Sequence, residues 1–200
     1  DIQTSLAAAD ALYASQRWDD AIAAYRGVLA DAPVLTSINL QIASAYRSKK
    51  DFDGAIAAYN ALLKADPSND WAKVGLAMAN ADKGDLAAAE KTLEDAAQAQ
   101  GATRDVLFQL GETKLARAKS DDAMKAYARA ADIDPTWGKP QLALGRLAMT
   151  RGDRDAARKA FQTVVAVDPT SSEAGQANAL LPREVQHRSD DQRTTVTVHL

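Results

Sequence analysis

The chain has 200 residues and a formal net charge of −3, with 44 alanines, 10 glycines, 6 prolines, 2 histidines and no cysteine. The missing cysteine excludes a disulfide scaffold and thiolate-held zinc or iron–sulfur centres, and a pI of about 5.4 excludes a basic nucleic-acid binder. Alanine at this density favours helix, and no apolar run reaches the roughly 20 residues of a membrane-spanning helix, so an all-α protein without membrane insertion is expected.

The chain begins at Asp1 with no apolar leader after it, which points to a processed protein or a piece of a longer one. Absence of cysteine suits the periplasm, yet many cytoplasmic proteins share it, so the compartment stays open between the two.

A period of 34 residues organises most of the chain. Pro33, Pro67, Pro135 and Pro169 stand on a ladder of that step, and Gly101 takes the remaining rung. Twelve residues before each rung comes Ala21, Ala55, Ala89, Ala123 or Ala157, and four residues after each alanine comes Tyr25, Tyr59, Leu93, Tyr127 or Phe161. Each period reads as two helices. In the second, Ile42, Ala43, Ala45 and Tyr46 mark an apolar face. Asp51 then caps a helix carrying Phe52, Ala55, Ile56, Tyr59, Leu62 and Leu63. Asp66-Pro67 ends that helix, because proline cannot continue it and biases the preceding residue away from helical backbone. Lys83-Gly84-Asp85 and Arg151-Gly152-Asp153 repeat the inter-helix turn, with glycine for the turn and aspartate for the next cap. The alanine of each second helix lets two helices approach, and the aromatic one turn later fills the gap between neighbouring units.

The chemistry of an enzyme is missing. His187 and His199 match no zinc spacing, Asp51-Phe52-Asp53-Gly54 lacks the later acidic ligands of a calcium loop, and no glycine-rich phosphate loop or nucleophile elbow occurs. Asp19-Asp20 and Asp121-Asp122 fall at helix starts, where open N–H groups favour anions. No enzyme, cofactor or metal site is expected.

These residues resemble the tetratricopeptide repeat family, whose 34-residue pattern W-x2-L-G-x2-Y…A-x3-F…P is matched best by Ile42-Ala43-Tyr46, Leu110-Gly111 and Leu144-Gly145 with the Ala, aromatic and Pro that come after them. Ala8-Ala9 replaces Leu-Gly in the first unit, and the third has Leu76-Ala77 but neither aromatic nor proline. The resemblance implies a right-handed α-solenoid of five helix-turn-helix units at 2–35, 36–69, 70–103, 104–137 and 138–171. A short capping helix is expected at 172–182, covering the open end of the stack. Residues 183–200 are polar and end in the strand-like alternation Thr195-Val196-Thr197-Val198-His199-Leu200. That tail is a disordered end, the start of another domain, or a docked segment.

In the family, first helices line a concave groove for peptides, and register positions 2, 5, 6, 9, 12 and 13 commonly face the ligand. Carried over, position 5 gives Leu6, Leu40, Val74, Phe108 and Leu142, a row that competes with ordinary packing between first helices. Trp71, Met78, Tyr13, Leu115 and Met149 flank it, with polar Asp10, Gln41, Ser44, Arg47, Asp105, Gln109, Glu112, Lys139 and Arg146. The family's two-carboxylate clamp is not present, since only Lys139 matches it. The resemblance therefore implies a non-catalytic scaffold for a protein or peptide partner, with no nucleic acid. The alternative is self-assembly, or an accessory role in a larger protein, through the stack ends or the tail.

Overall fold

A computed structural model describes residues 1–99 and 101–181. The polar stretch from Arg183, both histidines and the strand-like end lie outside the described residues. Among the described residues there are eleven helices and no strand. They are α1 (Ile2–Ala14), α2 (Trp18–Asp31), α3 (Ile38–Ser48), α4 (Phe52–Ala65), α5 (Asp70–Lys83), α6 (Leu86–Gln98), α7 (Arg104–Ala116), α8 (Ser120–Ile133), α9 (Gly138–Thr150), α10 (Arg154–Val167) and α11 (Ser172–Leu180).

One six-residue turn recurs at the ends of α1, α3, α5, α7 and α9. The residue at its left-handed corner is Gln16, Lys50, Gly84, Ala118 or Gly152, with φ of 61°, 66°, 97°, 57° and 76°. Glycine adopts this conformation freely, whereas a side chain costs about 1–2 kcal/mol there. What holds the other three corners is hydrogen bonding. The N–H after each corner reaches the carbonyl five residues back, as in Arg17 to Leu12 at 2.9 Å, Asp51 to Tyr46 at 2.9 Å and Lys119 to Lys114 at 2.9 Å. This is the Schellman closure, and it satisfies carbonyls the ending helix leaves open.

Capping starts the next helices as the sequence predicts. Asp51, Asp85 and Asp153 accept the N–H groups of Gly54, Ala88 and Ala156 at 2.9, 2.9 and 3.0 Å. Replacing Asp153 by alanine should lower stability by about 1 kcal/mol, while asparagine retains most of it; thermal unfolding followed by circular dichroism checks this. The reverse connections use a second device. Asp66-Pro67-Ser68, Asp134-Pro135-Thr136 and Asp168-Pro169-Thr170 fold the aspartate carboxylate onto the N–H and hydroxyl two residues on, at 2.6–3.0 Å. Those bonds, from Ser68 and from Thr170, hold the Asp66 and Asp168 carboxyls below the ordinary range.

The chain divides into two compact units, Asp1–Lys119 and Ser120–Leu200. In the first, each helix packs on the next from α1 to α7, and α3, α5 and α7 also touch as successive first helices. Ala9, Ala21, Ile22, Tyr25 and Val28 form one core with Ile38, Ile42 and Ala45; Ala43, Ala55, Tyr59, Leu62, Ala72, Leu76 and Ala79 form the next. The period-marking Ala21, Ala55 and Ala89 are fully buried, as the close-approach argument requires. In the second unit α8, α9, α10 and α11 pack in succession, and α11 also reaches α9. Its core joins Leu142, Ala148, Ala157, Phe161 and Val164 to Ala177 of α11.

Candidate functional site

The face offered by the first helices of residues 1–119 begins with the ring at the period's aromatic position. Tyr25 and Tyr59 reach back from α2 and α4 to their own first helices. Tyr25 Oη donates to Asp10 Oδ1 at 2.6 Å, and the Tyr59 and Ser44 hydroxyls lie 3.2 Å apart. Burial, then the Asp10 carboxylate, pushes the Tyr25 hydroxyl well above its ordinary value, so it stays a donor. Asp10 and Ser44 therefore support the second helix as well as facing outward.

Two further polar ties link successive first helices. Tyr13 Oη lies 3.5 Å from Ser48 Oγ, and Arg47 Nε donates to Asp82 Oδ2 at 2.5 Å. Tyr13 also packs edge-on against Trp18, ring centroids 5.0 Å apart. The Arg47 guanidinium is thus committed within the chain. Leu6, Leu40, Val74 and Phe108 are half-buried, sharing their surface between neighbouring helices and the outside. Met78 and Gln109 are half-buried beside them, while Gln41 and Glu112 are exposed.

Trp71 behaves differently. It is 66% exposed on the first turn of α5, and Leu115 near the end of α7 is 38% exposed. Asn69 caps α5 through the Ala72 N–H at 3.0 Å, and Lys73 reaches Asp70 at 2.8 Å, so this turn is firmly held while its indole remains in water.

The second unit presents a smaller face by itself. Leu142 is 5% exposed and packs with Phe161, Val164 and Ala177, so this member of the apolar row belongs to the core and not to a contact surface. Lys139 stands 5.9 Å from the centre of the Trp137 ring. Arg146 Nη2 donates to Gln176 Oε1 at 2.6 Å. Beside that bond Met149, Thr150, Ala179 and Leu180 line an open hollow of about 420 Å3.

Sequence reasoning missed one constellation. Glu90 on α6 is 3% exposed and receives Lys114 at 3.1 Å, Lys119 at 2.8 Å and the Arg117 guanidinium, with Glu94 holding Lys114 from its far side at 2.6 Å. Burial alone would raise the Glu90 carboxyl; the bonds from Lys119, Lys114 and Arg117 outweigh it and hold the group at about 2. The signal was partial: Glu90 stands where Ile22, Ile56 and Met124 do in three other units, but the fifth has a charge there too, Arg158.

Among the described residues, no group of three or more acidic or histidine side chains is placed to hold a metal ion, and no helix is long and apolar enough to cross a membrane. Tetratricopeptide repeat models match residues 6–70, and 46–107 together with 114–181. The chain belongs to the tetratricopeptide repeat family, a class of protein-interaction scaffolds built from stacked helix pairs.

Solved structures agree in fold. TTC0263, a thermophilic protein of this family from Thermus thermophilus, superposes with a TM-score of 0.70 at 19% identity, over 90% of this chain and 98% of its own. MamA gives 0.65 at 24% identity over 80% of this chain and 94% of its own. YrrB, described as having an unusual peptide-binding site, gives 0.59 at 18% identity over 90% and 93%. No curated protein sequence matches significantly.

Proposed function

We propose that the first helices α1, α3, α5 and α7 of residues 1–119 form a docking face for a segment of a partner protein. The observation that carries this reading is Trp71, a large aromatic held 66% exposed on a well-capped helix turn. Packing gives no reason to leave an indole in water, and tryptophan is among the residue types that dominate protein interfaces. Half-buried Leu40, Val74, Met78 and Phe108 and exposed Leu115 add apolar surface on α3, α5 and α7. YrrB, similar in fold, is a precedent for peptide binding on this architecture.

The test is selection of peptides from a random displayed library against the whole chain. Enriched peptides should lose about tenfold or more in affinity on Trp71→Asp, a loss of the size interface aromatics give, with the helical circular dichroism unchanged. Peptides that bind the variant as well as the parent would overturn the assignment.

A further inference from the structure

Every complete unit buries its eighth residue. Ala9, Ala43, Ala77, Gly111 and Gly145 are all buried, and Gly145 shows why. A Cβ there would stand 2.4 Å from a ring carbon of Phe161, the aromatic of its own second helix. Position eight is therefore the seat of that ring. α11 continues the same period, its seat is Ala179, and Ala179 is exposed. The helix turns Ala174 and Ala177 inward, and Ala177 joins the core of the unit before it. Its own seat opens instead into the hollow lined by Met149, Thr150 and Leu180, where Met149 is 45% exposed.

The sequence that follows does not repeat the second-helix pattern. Asp191 and Thr195 stand one period after Ala157 and Phe161, where the small residue and the ring would have to be. Its apolar residues gather further on. Val196, Val198 and Leu200 alternate with Thr197 and His199, so an extended run puts all three on one side. The connection is long enough: residues 182–195 can span about 45 Å, whereas α11 is about 13 Å long. A tethered segment meets its site at an effective concentration on the order of millimolar, which favours it over a second copy of the chain in dilute solution.

We propose that residues 195–200 fold back across this seat and lay Val196, Val198 and Leu200 on Met149, Ala179 and Leu180. Arg146, Met149 and Thr150 hold register positions 9, 12 and 13. The segment thus closes the ligand-facing side of α9, and a partner must displace it. This goes beyond the docking face of residues 1–119 and does not depend on it.

Methionine oxidation tests the cover on the whole chain, because a thioether reacts with peroxide according to its exposure. Mass spectrometry should show Met149 oxidised several-fold faster in Val196→Ser/Val198→Ser/Leu200→Ser than in the parent, with half-buried Met78 unchanged as the reference. Equal Met149 rates in the two proteins would overturn the proposal.

A second measurement identifies the occupant. The chain has no cysteine, so an introduced pair is the only one that can form a disulfide. Ala179→Cys with Val198→Cys should close within one chain at least tenfold faster than Asn178→Cys with Val198→Cys. The two tethers are nearly equal, and exposed Asn178 stands about 100° round the helix. Adding Val196→Ser and Leu200→Ser should remove the difference. Equal closure by the two pairs overturns the assignment, and so does a disulfide formed mainly between two chains, which would make a second copy the occupant.

Discussion

Replacing Glu90 by alanine is expected to lower the stability of the first unit by about 3 kcal/mol, the lower end for breaking a buried charge cluster. The lower end applies because Arg117 and Lys119 have side chains 33% and 41% exposed and can turn to water, while Lys114 keeps Glu94 at 2.6 Å. Glu90→Met should restore only the packing part of that loss, since it too removes one side of the cluster and leaves the Lys114 ammonium, 12% exposed, without its buried carboxylate. Methionine is the residue found at the same register position at Met124.

The pH dependence has a definite sign. The folded state holds Glu90 at about 2 against its ordinary 4.5, so its contribution is present above 4.5 and is lost as pH falls from there to about 2. Urea unfolding of parent and Glu90→Met should therefore show a parent advantage that shrinks on acidification through that window. An advantage unchanged between pH 5 and pH 2 would mean the carboxylate is not the group holding α6 to α7.

Gly75→Ala is expected to be the second severe change. A Cβ there would stand 2.3 and 2.4 Å from ring carbons of Tyr59, far inside van der Waals contact. The ring has nowhere to go, being 4% exposed with its hydroxyl 3.2 Å from Ser44. Overpacking of this kind costs about 1–3 kcal/mol, and because α5 carries the strain, the effect should reach Trp71. The equivalent ring position is Leu93 in the next pair. Tyr59→Leu should accordingly relieve the alanine, so that the double variant is more stable than the sum of the single changes predicts. Strict additivity in chemical denaturation would show that the two side chains do not meet.

The period was legible because the same packing problem recurs. A small residue opposite an aromatic must return each time two helices meet, and Ala21, Ala55 and Ala89 are fully buried where the spacing places them. The turns were legible only where glycine marked them: Gln16, Lys50 and Ala118 take the same left-handed corner without a residue type that announces it. The site was harder to read, because register position gives direction and not depth. Leu142 shares its position with Leu40 and Val74 yet is buried at 5%, since Ala177 of α11 and Phe161 close over it. Trp71 was visible as an aromatic at a first-turn position, and only the structure shows it left in water. Glu90 did not stand out because its partners come from Lys114, Arg117 and Lys119, 24–29 residues downstream.

The two kinds of connection differ in their tolerance of length. Each Schellman corner is closed by a hydrogen bond five residues back, as in Asp85 to Asn80 at 2.8 Å, and that ring of atoms admits no extra residue. One residue gained there would rotate the following helix by about 100° about its axis. The alanine and aromatic that face its partner would swing out of the seam. The Asp-Pro-Ser/Thr connections are closed by a side chain folding onto its own neighbours and by longer backbone bonds, Asn69 to Asp66 at 3.3 Å and Ser171 to Asp168 at 3.2 Å, which hold the phase of the next helix less tightly. Insertions and deletions among relatives should collect at Asp66–Asn69 and Asp168–Ser171, while corners such as Lys83–Asp85 keep their length as a condition of helical phase.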